Sequence, residues 1–208
     1  QKENLLNHLN NFLFREDVTL SSSDQFLLAV QGPRSLEVIE NFTKSRASIP
    51  EKPNDIFEFE YKEKPALAIA KSLTGEEGCV LAFQTTSKEI ITCKLLEIEK
   101  QNLLVQVDSH AREVFRIESG LPRYGKDINN KNILPETGLE HTSVSYNKGC
   151  YIGQEVIARI KTYGAPNFSL MGLILKGTDL PLIDGEIKLD SQKLGVIKSS
   201  IFSYSLQK

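Results

Sequence analysis

The sequence predicts an α+β fold in which a ferredoxin-like α/β sandwich is followed by the start of a small β barrel. Three observations carry this expectation. An apolar run, "QFLLAV" (Gln25–Val30), stops at "QGP" and gives way to Leu36, Ile39 and Phe42 at helical spacing. Three strand-like segments then follow in series, and only after them comes a second helical pattern. From Phe168 onward, short apolar segments alternate with Gly, Pro and Asp turns, the punctuation of a small all-β domain.

Taken in chain order, the first residues form an amphipathic pattern through Leu5, Leu6, Leu9, Phe12 and Leu13. After the strand at Gln25–Val30, Pro33 suits a first helical turn, because its missing N–H is one that a helix start leaves unpaired anyway. Past the Pro-containing loop "SIPEKPND" come "IFEFEY", with strict alternation, "PALAIA", and, beyond a Gly-containing turn, "CVLAF". The segment "TTSKEIITCKLLEIEKQN" sets Ile90, Ile91, Leu95 and Ile98 at helical spacing, with Thr86 or Ser87 to cap it, and "LLVQV" reads as a further strand. The order β-α-β-β-β-α-β is that of a split βαβ sandwich with one strand added.

Next, "DSHAREVFRIESGLP" reads as a short helix capped by Asp108 or Ser109 and stopped by Gly120 and Pro122. "YGKDINNKNILPETG" reads as a polar loop, "HTSVSY" as a short extended segment, and "YIGQEVIARI" as a second short helix ending at "TYGAPN". "FSLMGLILKG", "GEIKL" and "LGVIKSS" complete the predicted strands. The domain boundary is expected at Gly164 to Asn167, with 1–164 as one α+β domain and 168–208 as the start of the barrel. A start at Gln1 inside a helical pattern, and a barrel of only about 40 residues, suggest part of a longer protein.

Composition narrows the function classes. With 40% hydrophobic residues the chain can bury a core. Lys and Arg total 25 against 27 Asp and Glu, with no basic tract, so no direct nucleic-acid partner is expected. No apolar run approaches the roughly 20 residues that span a bilayer, and no secretion signal opens the chain, so no membrane partner is expected. The expected location is cytoplasmic, or the mitochondrial matrix in a eukaryote. Cys79, Cys93 and Cys150 lack C-x-x-C spacing, and His8, His110 and His141 lack metal-ligand spacing, so no metal site is expected. Cys79 in a strand and Cys93 in a helix are expected in the core.

Four residues are candidates for chemistry. Cys150 follows Gly149, which allows a tight and positive-φ turn, and lies at or near the start of the helix ending at Ile160. The helix dipole and Lys148 would favour thiolate there, so Cys150 is either a reactive, ligand-handling thiol or a small residue filling a gap. Gln154 and Glu155 follow in the same turn, where an acid can simply cap free amides. Glu118 sits at the end of its helix where a carboxylate is disfavoured, so it either pairs with a neighbour such as Arg116 or holds a ligand's donor groups. No dinucleotide or phosphate-binding loop and no nucleophile elbow is present.

The octapeptide "KGCYIGQE" (Lys148–Glu155) resembles the K-G-C-[FY]-x-G-Q-E signature of the YgfZ family of folate-binding proteins, which act in iron-sulfur cluster assembly and repair. That family is related to the glycine cleavage T protein, an aminomethyltransferase. "LLAVQGPRSLEVI", "AREVFRIESGLPRYGKD", "ILPETGL" and "GVIKSS" resemble further family segments in the same order. The resemblance implies a folate-binding α/β sandwich with a C-terminal barrel, and tetrahydrofolate or a one-carbon derivative as cofactor. Glu118 matches the glutamate that hydrogen-bonds the pterin, and Cys150 matches the cysteine on which the YgfZ branch depends. Lys148, Gly149, Tyr151, Gly153, Gln154 and Glu155 complete the signature, and Arg159 and Tyr163 fall near residues close to the folate.

Implied partners are folate and either iron-sulfur assembly proteins or client iron-sulfur enzymes, with an indirect link to tRNA modification. An aminomethyltransferase of the T-protein type and a non-catalytic scaffold are the alternatives. The T branch carries segments such as K-x-x-F-x-G where this chain has "NKGCYIGQE", so Cys150 argues for YgfZ. The resemblance further implies that the family's N-terminal segment, which holds the T protein's catalytic aspartate, has no counterpart in these residues.

Overall fold

A computed structural model describes residues 2–43 and 52–207; the first half of the expected loop "SIPEKPND" lies outside the described residues. The chain divides into two compact units. One contains residues 1–30, 34–71 and 78–104, and the other contains 31–33, 72–77 and 105–208.

The first unit is a mixed α/β layer pair. Its elements are α1 (Lys2–Asn10), β1 (Gln25–Gln31), α2 (Ser35–Thr43), β2 (Ile56–Tyr61), β3 (Lys64–Ala70), β4 (Gly78–Gln84) and α3 (Lys88–Glu99). The four strands form one sheet in the order β1-β4-β3-β2, with β3 antiparallel to both β2 and β4. Side chains alternate across a strand, so the register places Phe57, Phe59, Ala66, Ala68, Leu81 and Phe83 on one face.

Small alanines on the central β3 make room for large rings on both sides. Phe83 meets Phe42 at 5.6 Å, Tyr61 at 5.8 Å and Phe59 at 5.9 Å between ring centroids, the last two edge to face. Val38, Ile39 and Phe42 of α2 and Ile91 and Ile98 of α3 close this core. The β2–β3 turn places Lys62 at φ 49° and Glu63 at φ 62°, the left-handed pair that matches the twist of a two-residue hairpin.

Two expectations fail in this unit. "LLVQV" is not a strand: Leu103 and Leu104 pack on the core, but Val105 and Val107 are exposed and no sheet edge takes the segment. Cys93 is exposed rather than buried, because α3 turns Ile91 and Ile98 inward and leaves Cys93 on its outer side. Cys79 is buried as expected, and burial pushes its thiol above the ordinary range. Ser87 precedes α3, yet its side chain makes no capping bond.

In the second unit, α4 (Ser109–Glu118) begins as the sequence indicates: the Asp108 carboxylate accepts from the Ala111 N–H at 2.7 Å. A 3-10 turn at Leu134–Thr137 buries Pro135 and Thr137, followed by α5 (Glu140–Ser143) and α6 (Gln154–Tyr163). A hairpin of β5 (Glu186–Leu189) and β6 (Gln192–Val196) turns through Asp190 at φ 47° and Ser191 at φ 70°.

"HTSVSY" is therefore a helical turn that becomes extended at Val144, not an extended segment throughout. "FSLMGLILKG" is no strand either. Its Leu170 N–H bonds the Glu136 carbonyl at 2.8 Å, but the β5–β6 pair adds no third strand and Phe168, Met171 and Ile174 stay exposed. Among the described residues no helix is long and apolar enough to cross a membrane.

Candidate functional site

The C-terminal half of α4 rests on one arginine. The Arg116 guanidinium donates to Glu113 from Nε at 2.9 Å and Nη2 at 2.8 Å, to Asp127 from Nη1 at 2.7 Å, and to the Leu121 carbonyl. Asp127 also accepts from the Arg123 N–H at 2.8 Å and from the Ser199 hydroxyl, while Lys126 reaches Glu113 at 2.7 Å. The Arg116 hydrogen bonds, helped by Lys126, hold the Glu113 carboxyl down to about 2, well below its ordinary 4.5. The planar fork of arginine suits two carboxylates at once, which a lysine cannot replace.

With Arg116 committed to Glu113 and Asp127, Glu118 has no cation as partner among the described residues. Of the two alternatives for Glu118, the pairing with Arg116 is not found among the described residues; serine hydroxyls take its place. Ser203 donates to Oε1 at 2.6 Å and Ser205 to Oε2 at 3.4 Å, and the Leu206 N–H donates to the Ser203 oxygen at 3.0 Å. Glu118 remains exposed although Ser203 is buried. Beside it the Ser119 hydroxyl bonds the Thr74 carbonyl, and Gly75, at φ 84°, lies so close that an added Cβ would come within 2.5 Å of the Ser119 oxygen. A loop from earlier in the chain is thus fastened to the end of α4.

The segment Lys148–Glu155 forms a different kind of surface. Gly153, at φ 86°, precedes α6, so the helix begins at Gln154 and Cys150 stands outside it. The left-handed residue is Gly153 and not Gly149, whose missing side chain answers to no neighbour within 4 Å. Gln154 closes a turn with Tyr151, its N–H donating to the Tyr151 carbonyl at 3.1 Å and its side-chain oxygen accepting from the Tyr151 N–H at 3.4 Å. The Lys148 ammonium lies 4.8 Å from the Tyr151 ring centroid, and the buried Tyr151 hydroxyl has no hydrogen-bond partner among the described residues.

Alongside, Lys161 sits 3.4 Å over the ring of Tyr146, whose hydroxyl donates to Glu140. That bond to a carboxylate pushes the Tyr146 phenol up to about 12. Cys150 is an exposed free thiol, and Glu155, Arg159 and Tyr163 are also exposed.

Among the described residues, no hydrogen bond, ion pair or ring contact joins Glu118 to the Lys148–Arg159 segment. The sequence reading missed Ser199, Ser203 and Asp127 as partners of α4. Nothing local marks them, since each meets α4 only through tertiary folding. Two surface depressions in the first unit, of about 680 and 560 Å³, are lined by residues such as Asp24, Glu58 and Thr85, and by Tyr61, Cys93 and Glu97; none of the predicted site residues is among their walls. No group of three His, Cys, Asp or Glu among the described residues is placed to hold a metal ion.

Residues 1–148 match the family model described as the GCVT N-terminal domain, a span that includes Glu118 and ends at Lys148. The aminomethyltransferase of Caldanaerobacter subterraneus subsp. tengcongensis is 29% identical over 208 residues, covering 96% of this chain and 53% of that protein. That of Thermoanaerobacter pseudethanolicus is 26% identical over 205 residues, covering 96% and 54%. That of Halalkalibacterium halodurans is 30% identical over 198 residues, covering 92% and 52%. The chain spans about half the length of the curated relatives it matches.

Proposed function

The chain belongs to the GCVT N-terminal domain family, and from that premise we propose that it is a folate-dependent aminomethyl-transfer protein of the T-protein type. Tetrahydrofolate or a one-carbon derivative is its cofactor, held at the Glu118 carboxylate. The observation that carries this reading is the state of Glu118: an exposed acid at the C-terminal end of α4, without a cationic partner among the described residues, in the motif "RIESGLP". A pterin offers an amino group and a ring N–H side by side, and one carboxylate can accept from both. The relatives' name, aminomethyltransferase, supports the same chemistry. In this reading residues 1–164 form the folate-binding body, a ferredoxin-like sandwich with its neighbours, and 168–208 begin a barrel domain. Lys148, Gly149, Tyr151, Gly153, Gln154, Glu155 and Arg159 line the approach.

Glycine cleavage assayed with a lipoylated carrier and tetrahydrofolate tests this directly. Turnover is expected of the protein as it occurs in the cell, and Glu118→Ala should lower it about tenfold or more, the loss of a charge-assisted pair of hydrogen bonds. Turnover unchanged in that variant would remove Glu118 from the site.

One observation favours a second reading, the YgfZ-type role in iron-sulfur cluster assembly or repair: Cys150 is an exposed free thiol inside "KGCYIGQE". A single cysteine cannot hold a stable four-cysteine cluster, so its part would be a transient adduct or contact with a client enzyme. Complementation separates the two readings. Loss of support for a cluster-dependent enzyme in Cys150→Ala, with glycine cleavage absent, would favour YgfZ, whereas glycine cleavage that tolerates Cys150→Ala would favour the T protein.

A further inference from the structure

We propose that Ser203 is a positioning residue for folate binding: by anchoring one oxygen of the Glu118 carboxylate it fixes the plane in which the carboxylate meets the ligand's two donors. The proposal rests on the folate reading of Glu118. Ser203 is buried, and its oxygen accepts the Leu206 N–H at 3.0 Å. Its own proton is therefore free to point at Glu118 Oε1, which it meets at 2.6 Å.

The other oxygen is held far less firmly. Ser205 is exposed and its contact with Oε2 is 3.4 Å, well beyond the ordinary hydrogen-bond distance between two oxygens. A ligand N–H can displace it at small cost, whereas displacing Ser203 would leave a buried hydroxyl without its acceptor.

The segment that carries Ser203 is itself tied down. Ser199 bonds both Arg116, at 3.3 Å, and Asp127, so the chain after β6 is pinned to the same helix four residues earlier. With Arg116 engaged by Glu113 and Asp127, Glu118 has no cationic partner among the described residues.

Calorimetric titration of tetrahydrofolate into the intact chain, Ser203→Ala, Glu118→Ala and the double variant tests the proposal. Ser203→Ala should bind about tenfold more weakly, the loss of one hydrogen bond to a charged group. In the Glu118→Ala background the same change should shift affinity less than about twofold, because the effect passes through Glu118.

Equal affinity in Ser203→Ala and the parent chain would overturn the proposal while leaving the folate site intact. An equal weakening in both backgrounds would overturn it too, since it would show a structural effect that bypasses Glu118. No binding by the parent chain would sink the folate reading itself, and this proposal with it. Thermal melting of each variant separates unfolding from weaker binding. Should Ser203→Ala melt early, Ser203→Cys, similar in shape with a poor donor, carries the same test.

Discussion

Removing the Arg116 guanidinium should unfasten the second unit more than any other single change at its surface. Arg116→Ala strips two hydrogen bonds from Glu113 and one from Asp127, removes the guanidinium donor from the Leu121 carbonyl, and leaves Ser199 bonded to Asp127 alone. The Asp127 side chain is only 6% exposed and that of Glu113 16%, so both carboxylates would be left charged and largely shielded from water. Breaking such a pair by deleting one partner costs about 3–5 kcal/mol, and Lys126, still bound to Glu113, offsets part of that.

The expected loss is therefore about 3 kcal/mol, a large share of the roughly 5–15 kcal/mol that stabilises a domain. Urea unfolding of the whole chain, followed through tyrosine absorbance or near-UV dichroism, measures it. Five of the six tyrosines lie in the second unit and there is no tryptophan, so the signal reports mainly that unit. Arg116→Lys should recover little, because an ammonium cannot bridge the two acids in the same plane. A loss below about 1 kcal/mol would refute the reasoning, since it would place the network among the solvent-screened pairs of little worth.

Two further predictions follow from local geometry. Because Glu113 is held at about 2 in the fold and 4.5 when free, its stabilisation is fully present above about pH 5 and is lost as the pH falls toward 2. The difference corresponds to about 3 kcal/mol, trimmed to about 2 by solvent at Lys126, and Glu113→Gln should flatten the fall in melting temperature between pH 5 and 2. In the β2–β3 turn, Lys62→Asn with Glu63→Gly should raise stability by about 1 kcal/mol, as both positions have positive φ; a drop on urea unfolding would contradict the turn geometry.

Local pattern carried the parts of the fold that local physics controls. Alternation in "IFEFEY" and helical spacing of Ile39 and Phe42 correspond directly to β2 and α2, and the Asp108 cap opens α4 as its position in the chain indicates. "LLVQV" and "FSLMGLILKG" have strand composition but find no edge to pair with, and pairing is a tertiary property that composition does not contain. Cys93 shows the limit of a helical stripe: one residue's phase decides whether it faces the core.

The oddity of Glu118 was legible from its place at the wrong end of a helix. Its partners were not, because Ser203 and Ser205 come from a segment more than eighty residues away in sequence. The signature turn shows the reverse: the sequence pointed to Gly149, and only backbone geometry tells that the left-handed residue is Gly153.

The central claim, that Glu118 is the carboxylate that receives a folate, is tested most directly by calorimetry of tetrahydrofolate against the chain and its Glu118→Ala variant. The account predicts saturable one-to-one binding that weakens by about tenfold or more in the variant, with melting temperature unchanged. Equal binding by both proteins, or none by the parent chain, would contradict it.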